Sequence, residues 1–523
     1  MASCSFTALG LFLLVLCNGC LAIRQGRQEE QEPYRRSQGD CRLQKLRTLE
    51  PDSQIQHEAG VTQIWNPNSD EMQCAGITAS RHVIDRRAAL LPSFTNAPMV
   101  VYVEQGRGLL GTVFPGCPET YQSFQRQSQE GSKSRRSDDR HQKLRRLQQG
   151  DVFVLTAGVA HWVFNDGNNK LVLFAIHDVS NRENQLDDNL RRFLLAGSPP
   201  ERRGGKQQLP NITNIFQYFD TRILADAFSV PVSIARKLKE VDESKGFIVR
   251  VQKAFQVIKP QASSSEEEDE EEQRGSGRNG IEETICSMKL VENIADPERA
   301  DIYTAEGGRI ATLNSRNLPI LKRVKLSAGR VVLHKNGMVV PHWNMDAHSI
   351  MFVTKGSGKV QVIGMSRRPI FDGEVRKGQI LIVPQNHALT KIAGDDGLEW
   401  FTVKTNDQAS ITPLAGPTSA IRALPVDLLM SSYGLTNEEA RKLKEETKEV
   451  TIVVRRRSSR GRKEEGSREG SRRPEEEEEE GEESEGSSRG QKEEGREGSS
   501  RRKEDKGSEA AVEAVKAIVE AIM

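Results

Sequence analysis

The chain spells one domain twice. Tyr102-Val-Glu-Gln-Gly-Arg-Gly108 recurs as Phe352-Val-Thr-Lys-Gly-Ser-Gly358, Gly150-Asp-Val-Phe-Val-Leu155 as Gly378-Gln-Ile-Leu-Ile-Val383, and Ala235-Arg-Lys-Leu-Lys-Glu240 as Ala440-Arg-Lys-Leu-Lys-Glu445. The matches are collinear, at separations of 250, 228 and 205 residues, so the first copy carries two insertions of about twenty residues, near 123–147 and 198–209. Both are rich in Arg, Gln and Gly and are expected as surface loops. Any fold for this chain must therefore be a fold that works as a pair.

Within each copy, short β-branched or aromatic runs are bounded by Gly, Pro, Asn or Asp: 99–103, 152–155 and 171–176 in the first, 330–333, 350–353, 360–363 and 398–403 in the second. That punctuation predicts strands joined by turns. Each copy then changes period. Leu186, Leu190, Phe193 and Leu194, followed by 215–238, and in the second copy 428–443, have helical spacing. The predicted fold is mainly β: two tandem jelly-roll β-barrel domains, each followed by a short helical arm, with disordered loops and a disordered tail.

Low-complexity segments mark the boundaries. Residues 1–22 hold an apolar run at 9–16 and end in Ala22 before Ile23, the pattern of a removable signal peptide, and no later run is long enough to cross a bilayer. The first domain is placed at 41–260, an acidic disordered linker at 261–279, the second domain at 280–454, an Arg/Glu-rich disordered tail at 455–507 and a short amphipathic segment at 508–523. With the signal removed, Cys41, Cys74, Cys117 and Cys286 remain, an even number in an oxidising compartment, which implies two disulfides with three possible pairings. No pair has the CxxC spacing of a zinc site. Net charge is +1, divided at Asn279 into 36 basic and 34 acidic residues before and 39 and 40 after, so nothing points to nucleic acid. Arg145 and Arg146 fall in a polar loop without aromatic neighbours, a poor nucleic-acid surface. Asn279-Gly280 lies in a glycine-rich polar segment that cannot bury its backbone, an accessible site for cleavage.

The strings Ala97-Pro-Met-Val-Val-Tyr-Val-Glu-Gln-Gly-Arg-Gly108, Val113-Phe-Pro-Gly-Cys-Pro-Glu-Thr120 and Asn279-Gly-Ile-Glu-Glu-Thr-Ile-Cys286 closely resemble the legumin-type (11S) seed storage globulins, a bicupin family. The resemblance implies a nutrient reservoir and not an enzyme, deposited through the secretory pathway in the protein storage vacuole of seed. It also implies disulfides Cys41–Cys74 and Cys117–Cys286 and cleavage between Asn279 and Gly280 by an asparaginyl endopeptidase. Its partners would be like subunits, in trimers before cleavage and hexamers after, with no membrane and no nucleic acid. The near-equal charge of the two halves departs from the acidic and basic chains usual in that family.

Enzymatic cupins hold a divalent metal on three His and one Glu. Aligned by glycines, the first copy offers Pro92, Phe94, Met99 and His161 at those positions, and the second His342, Asn344, Ser349 and Leu389. One ligand of four remains in each, against the three or so protein ligands a catalytic metal needs, so no metal, cofactor or catalytic residue is expected. His334, His348 and His387 could add an irregular site in the second copy, although scattered histidines are more often packed or surface residues. An open interior could instead serve a sugar-binding cupin. Asn211-Ile-Thr213 is a glycosylation sequon, read here rather as the cap of the first helical arm. No nucleophile elbow, HExxH or P-loop pattern is present. The segment 510–523, apolar at Val512, Val515, Ile518, Val519 and Ile522, reads as a short amphipathic helix or a sorting signal.

Overall fold

The computed structural model describes residue 41 and residues 43–119, 121–122, 140–198, 212–240, 242, 244–251 and 285–455. The expected signal cleavage point, the processing site, the linker, Asn211, the tail and the C-terminal segment lie outside these residues.

Each copy forms a barrel of strands, antiparallel except for the parallel pair Arg192–Leu194 and Ile212–Asn214. In the first, one sheet runs in the order Ser53–His57, Gly60–Ile64, Ile77–Ile84, Leu171–Asp178, Met99–Gln105, Asp151–Leu155 and Val291–Asn293. The facing sheet runs Ile212–Asn214, Arg192–Leu194, Ala88–Thr95, Ala160–Phe164, Arg107–Val113 and Leu144–Gln148. In the second barrel two long strands, Ser349–Ile363 and His387–Lys404, run through both layers and join ten strands into one sheet. The repeated glycine explains the shared bend. Gly106 and Gly356 have φ of 90° and 74°, and a Cβ there would stand 2.5 Å from the Lys170 carbonyl oxygen and 2.1 Å from that of Gly397. Only glycine fits where the strand turns from one layer into the other.

The duplication makes the interface between the barrels nearly two-fold. Strand alternation sends Val101 and Val103 into the first barrel and Tyr102 outward. Tyr102 stacks on Phe401 at 4.6 Å, and Phe352, at the position of Tyr102 in the second copy, stacks on Phe174 at 3.9 Å. The Trp65 ring meets both Phe174 and Phe352 edge-on, at 5.6 and 6.0 Å, and all five side chains are buried. Such ring pairs add about 0.5–1.5 kcal/mol each beyond their buried area.

The barrels also exchange segments. Leu46 is buried in the core of the second barrel, its N–H donating to the Ile370 carbonyl, and Leu49 bridges to Ile380 through both backbone groups. In return, Val291–Asn293, which lies after the linker, pairs with Asp151–Phe153 and closes the edge of the first barrel's sheet. Glu292 is buried there between Lys289 and Arg299, and Asn293 donates to Asp151 at 2.7 Å.

Helical arms follow each barrel: Thr221–Phe228 and Val232–Lys239, then Val426–Tyr433 and Asn437–Glu445. The matched Ala235 and Ala440 are both fully buried, the close-packing point that each helix pair needs. Three local expectations are corrected. The helical spacing at 186–194 is not a helix: Leu186 is exposed, and Arg192–Leu194 is a strand whose Phe193 and Leu194 face opposite sides, because pairing with Ala88–Thr95 outweighs a short periodic signal. The first arm starts at Thr221, where Asp220 accepts from the N–H groups of Arg222 and Ile223, so Asn211 does not cap it. Arg145 and Arg146 lie in the strand Leu144–Gln148 and not in a loop.

Candidate functional sites in the barrel interiors and at the chain junction

In the second barrel all four aligned metal positions face inward. His342 and Leu389 are cross-strand neighbours, Asn344 lies two residues further along, and the Ser349 hydroxyl is 3.3 Å from that of Thr402. All four are buried. His342 Nδ1 is 2.8 Å from the Val340 carbonyl, and burial, with Lys391 and Lys404 nearby, lowers its pKa to about 3. It is therefore a neutral imidazole engaged with its own strand. Lys391 rests over the Trp400 ring at 5.2 Å, and burial lowers its pKa to about 7. A bound metal cation would have to share this interior with two ammonium groups.

In the first barrel only two of the four positions point inward. Met99 belongs to the core, and His161 faces Ser93 across the sheet. Phe94 packs its ring on Phe193 at 5.5 Å on the other face, and Pro92 shares its half-buried side of the strand. Counting by glycines thus lands one residue away from the inward position, which Ser93 occupies. His334, His348 and His387 do not converge on His342. Among the described residues no group of three or more His, Cys, Asp or Glu is placed to hold a metal ion.

What the linear reading missed is a polar interior in the first barrel. Thr78, Ser80 and His82 alternate along Ile77–Ile84, with Thr78 opposite His177 on the neighbouring strand; His57 and Thr62 join them. The signal was a period of two among polar residues inside an apolar strand, which is as informative as the apolar alternation.

At the junction, Cys117 and Cys286 are disulfide-bonded with Cα atoms 5.5 Å apart, and Cys41 and Cys74 with 5.0 Å. Gln142 holds the Cys117 turn: its amide oxygen accepts from the Phe114 N–H at 2.8 Å, and its nitrogen donates to the carbonyls of Phe114 and Cys117 at 2.9 Å. The stretch from Cys286 to Asn293 therefore joins the first barrel twice, through sulfur and through the sheet edge.

Against known proteins, the cupin family model matches residues 46–201 and 292–441, one match per barrel. The 11S globulin seed storage protein 1 of Carya illinoinensis is 44% identical over 484 residues, covering 85% of this chain and 95% of its own. An 11S globulin from Wrightia tinctoria, whose structure reveals an auxin-binding site, is 47% identical with a TM-score of 0.70, covering 79% of this chain and 97% of that one. Procruciferin, the 11S globulin of Brassica napus, is 36% identical with a TM-score of 0.70, covering 80% and 99%.

Proposed function

As the chain belongs to the legumin-type 11S seed storage globulins, two-barrel members of the cupin family, we propose that it is made as a precursor, cut between Asn279 and Gly280, and stored as a hexamer of disulfide-linked chain pairs. Its role is storage: it is a nutrient reserve of seed and not an enzyme. The signal residues 1–22, with cleavage between Ala22 and Ile23, and the domain limits 41–260 and 280–454 complete the proposed precursor.

The observation that carries the reading is the exchange of segments across the junction. A cut at 279–280 leaves Val291–Asn293 in the sheet of the first barrel, Leu46 in the core of the second, and Cys117 bonded to Cys286. The pair of chains is thereby built to survive the cut. An asparaginyl endopeptidase would release the charged linker from a surface on which two trimers could then stack.

Assembly from like subunits has its own support. The outer faces of both helical arms stay apolar, with Ile223 60%, Phe228 51%, Leu428 47%, Tyr433 59% and Leu443 52% exposed. Two non-identical arms on one subunit suit a head-to-tail contact that closes into a ring. Deposition in the storage vacuole, with 508–523 as a sorting segment, belongs to the same proposal.

Gels with and without reductant, with N-terminal sequencing of the smaller band, test the processing: a band starting at Gly280 that separates only on reduction is expected. Sedimentation of Asn279→Gln after endopeptidase treatment tests the assembly. Hexamers formed by that uncut variant would sink the role of the cut.

A further inference from the structure

The first barrel encloses a charge that, among the described residues, has no counter-charge. Arg192 points inward from the strand Arg192–Leu194, across from Thr95, and is 6% exposed. Its guanidinium lies 5.6 Å from the centre of the Phe247 ring and donates from Nη1 to Ser93 Oγ at 3.4 Å. Among the described residues no Asp or Glu forms an ion pair with it, whereas its neighbour Arg191, on the outside, is paired with Asp187 at 2.7 Å.

Four imidazoles surround this charge, and none can balance it. His57, His82, His161 and His177 are each held neutral near pH 7, by burial first and by the Arg192 charge next. His177 is fully buried with both ring nitrogens unpartnered, and His57 Nδ1 is unpartnered as well. His82 is already engaged, one nitrogen by Thr62 and the other by Ser80.

The second barrel shows why this differs from an ordinary buried base. There Lys391 can shed its proton and become neutral. Arg192 cannot: even buried, its pKa is lowered only to about 10. An ion kept out of water without a counter-charge is unfavourable, and proteins pair such charges. A guanidinium with no carboxylate, in a barrel that also holds a neutral imidazole, His177, whose single N–H lacks an acceptor, is suited to receive an oxyanion, and its fixed fork suits two parallel oxygens. A metal cation in the same space would meet repulsion.

We propose that the interior of the first barrel binds a small oxyanion of the carboxylate or phosphate class, held by Arg192 with His177 and Ser93 as neighbouring donors.

The test uses the full-length protein and follows binding by calorimetry and thermal midpoint in acetate, inorganic phosphate and chloride at matched ionic strength. The wild type and Arg191→Gln should bind acetate or phosphate in preference to chloride, and Arg192→Met should bind roughly 10- to 100-fold more weakly, the loss expected for charge-assisted hydrogen bonds. A response to acetate alone assigns a carboxylate ligand, and to phosphate alone a phosphate ligand. Equal responses to all three salts, or an Arg192→Met protein that binds like the wild type, overturn the proposal. If Arg192→Met does not fold, wild-type crystals grown in each salt decide: density against the guanidinium in acetate or phosphate supports the site, and its absence in both overturns it.

Discussion

Cutting the chain at 279–280 and then removing the Cys117–Cys286 bond should not separate the two halves. In the uncut protein that bond closes a loop of 169 residues, worth about 5 kcal/mol by the chain-entropy estimate. After the cut its effect is only to keep the chains close, and the packing must hold them. Leu46, Leu290 and Ile294 cross between the halves, and Tyr102, Phe174, Phe352 and Phe401 join the barrels together with Ile350, Ile380, Ile382 and Val403. At about 1.5–3 kcal/mol per buried side chain these give roughly 16–33 kcal/mol of gross burial. Association costs roughly 4–15 kcal/mol of lost freedom. At mid-range the remainder exceeds the roughly 8 kcal/mol of a micromolar complex. The perturbation is Cys286→Ala, cleaved by the endopeptidase and diluted to micromolar concentration in native buffer. Sedimentation should find one species containing both chains. Two separating chains without denaturant would refute the reasoning that strand exchange and ring stacking, and not sulfur, hold the halves together.

Stability should fall on acidification from neutrality. The folded pKa values of His57, about 4, and of His161 and His342, about 3, lie below the unfolded value of about 6.5, so below that value the unfolded chain binds more protons and ΔG rises with pH. Each buried imidazole should cost about 2.2 kcal/mol between pH 6.5 and 4.5; Asp151, raised to about 6 by burial, works the other way in part of that window. Urea midpoints across this range check it, and an unchanged midpoint counts against buried neutral histidines. Phe352→Ala should lose about 3–5 kcal/mol, seen as a lower thermal midpoint together with a changed Trp65 emission. Gly356→Ala should be severely destabilising, since about 1–3 kcal/mol of backbone strain is added to a clash with the Gly397 carbonyl. Gly378→Ala, at φ 87° but with nothing within 4 Å, should cost clearly less in the same melting experiment.

The repeat, the strand runs and the paired barrels were legible in sequence because each depends on local alternation and on turn residues such as Gly106 and Gly356. The side chains at the aligned metal positions were legible too, but not which of them face inward: Ser93, and not Pro92 or Phe94, lies opposite His161. The helices at 221–239 and 426–445 were readable as arms, but their starts were not, because Asp220 caps only once the strand Ile212–Asn214 has placed it. The spacing at 186–194 misled for the same reason: three residues of pairing with Ala88–Thr95 set the backbone there.

The four cysteines left after the expected signal peptide, an Asn279-Gly280 bond in a polar, glycine-rich segment and a domain written twice are legible in the linear chain, and together they raise the expectation of a molecule that remains linked when cut. Tertiary structure alone decided which segments cross over. Leu46 reads like any apolar residue until it is seen in the second barrel's core, and Val291–Asn293 reads as a short run until it edges the first barrel's sheet. It also decided that His57, His82, His161 and His177, spread over 121 positions, gather around Arg192. Sequence records which groups a chain possesses; partners, and the lack of a carboxylate beside a buried guanidinium, exist only after strands far apart in the chain have been brought face to face.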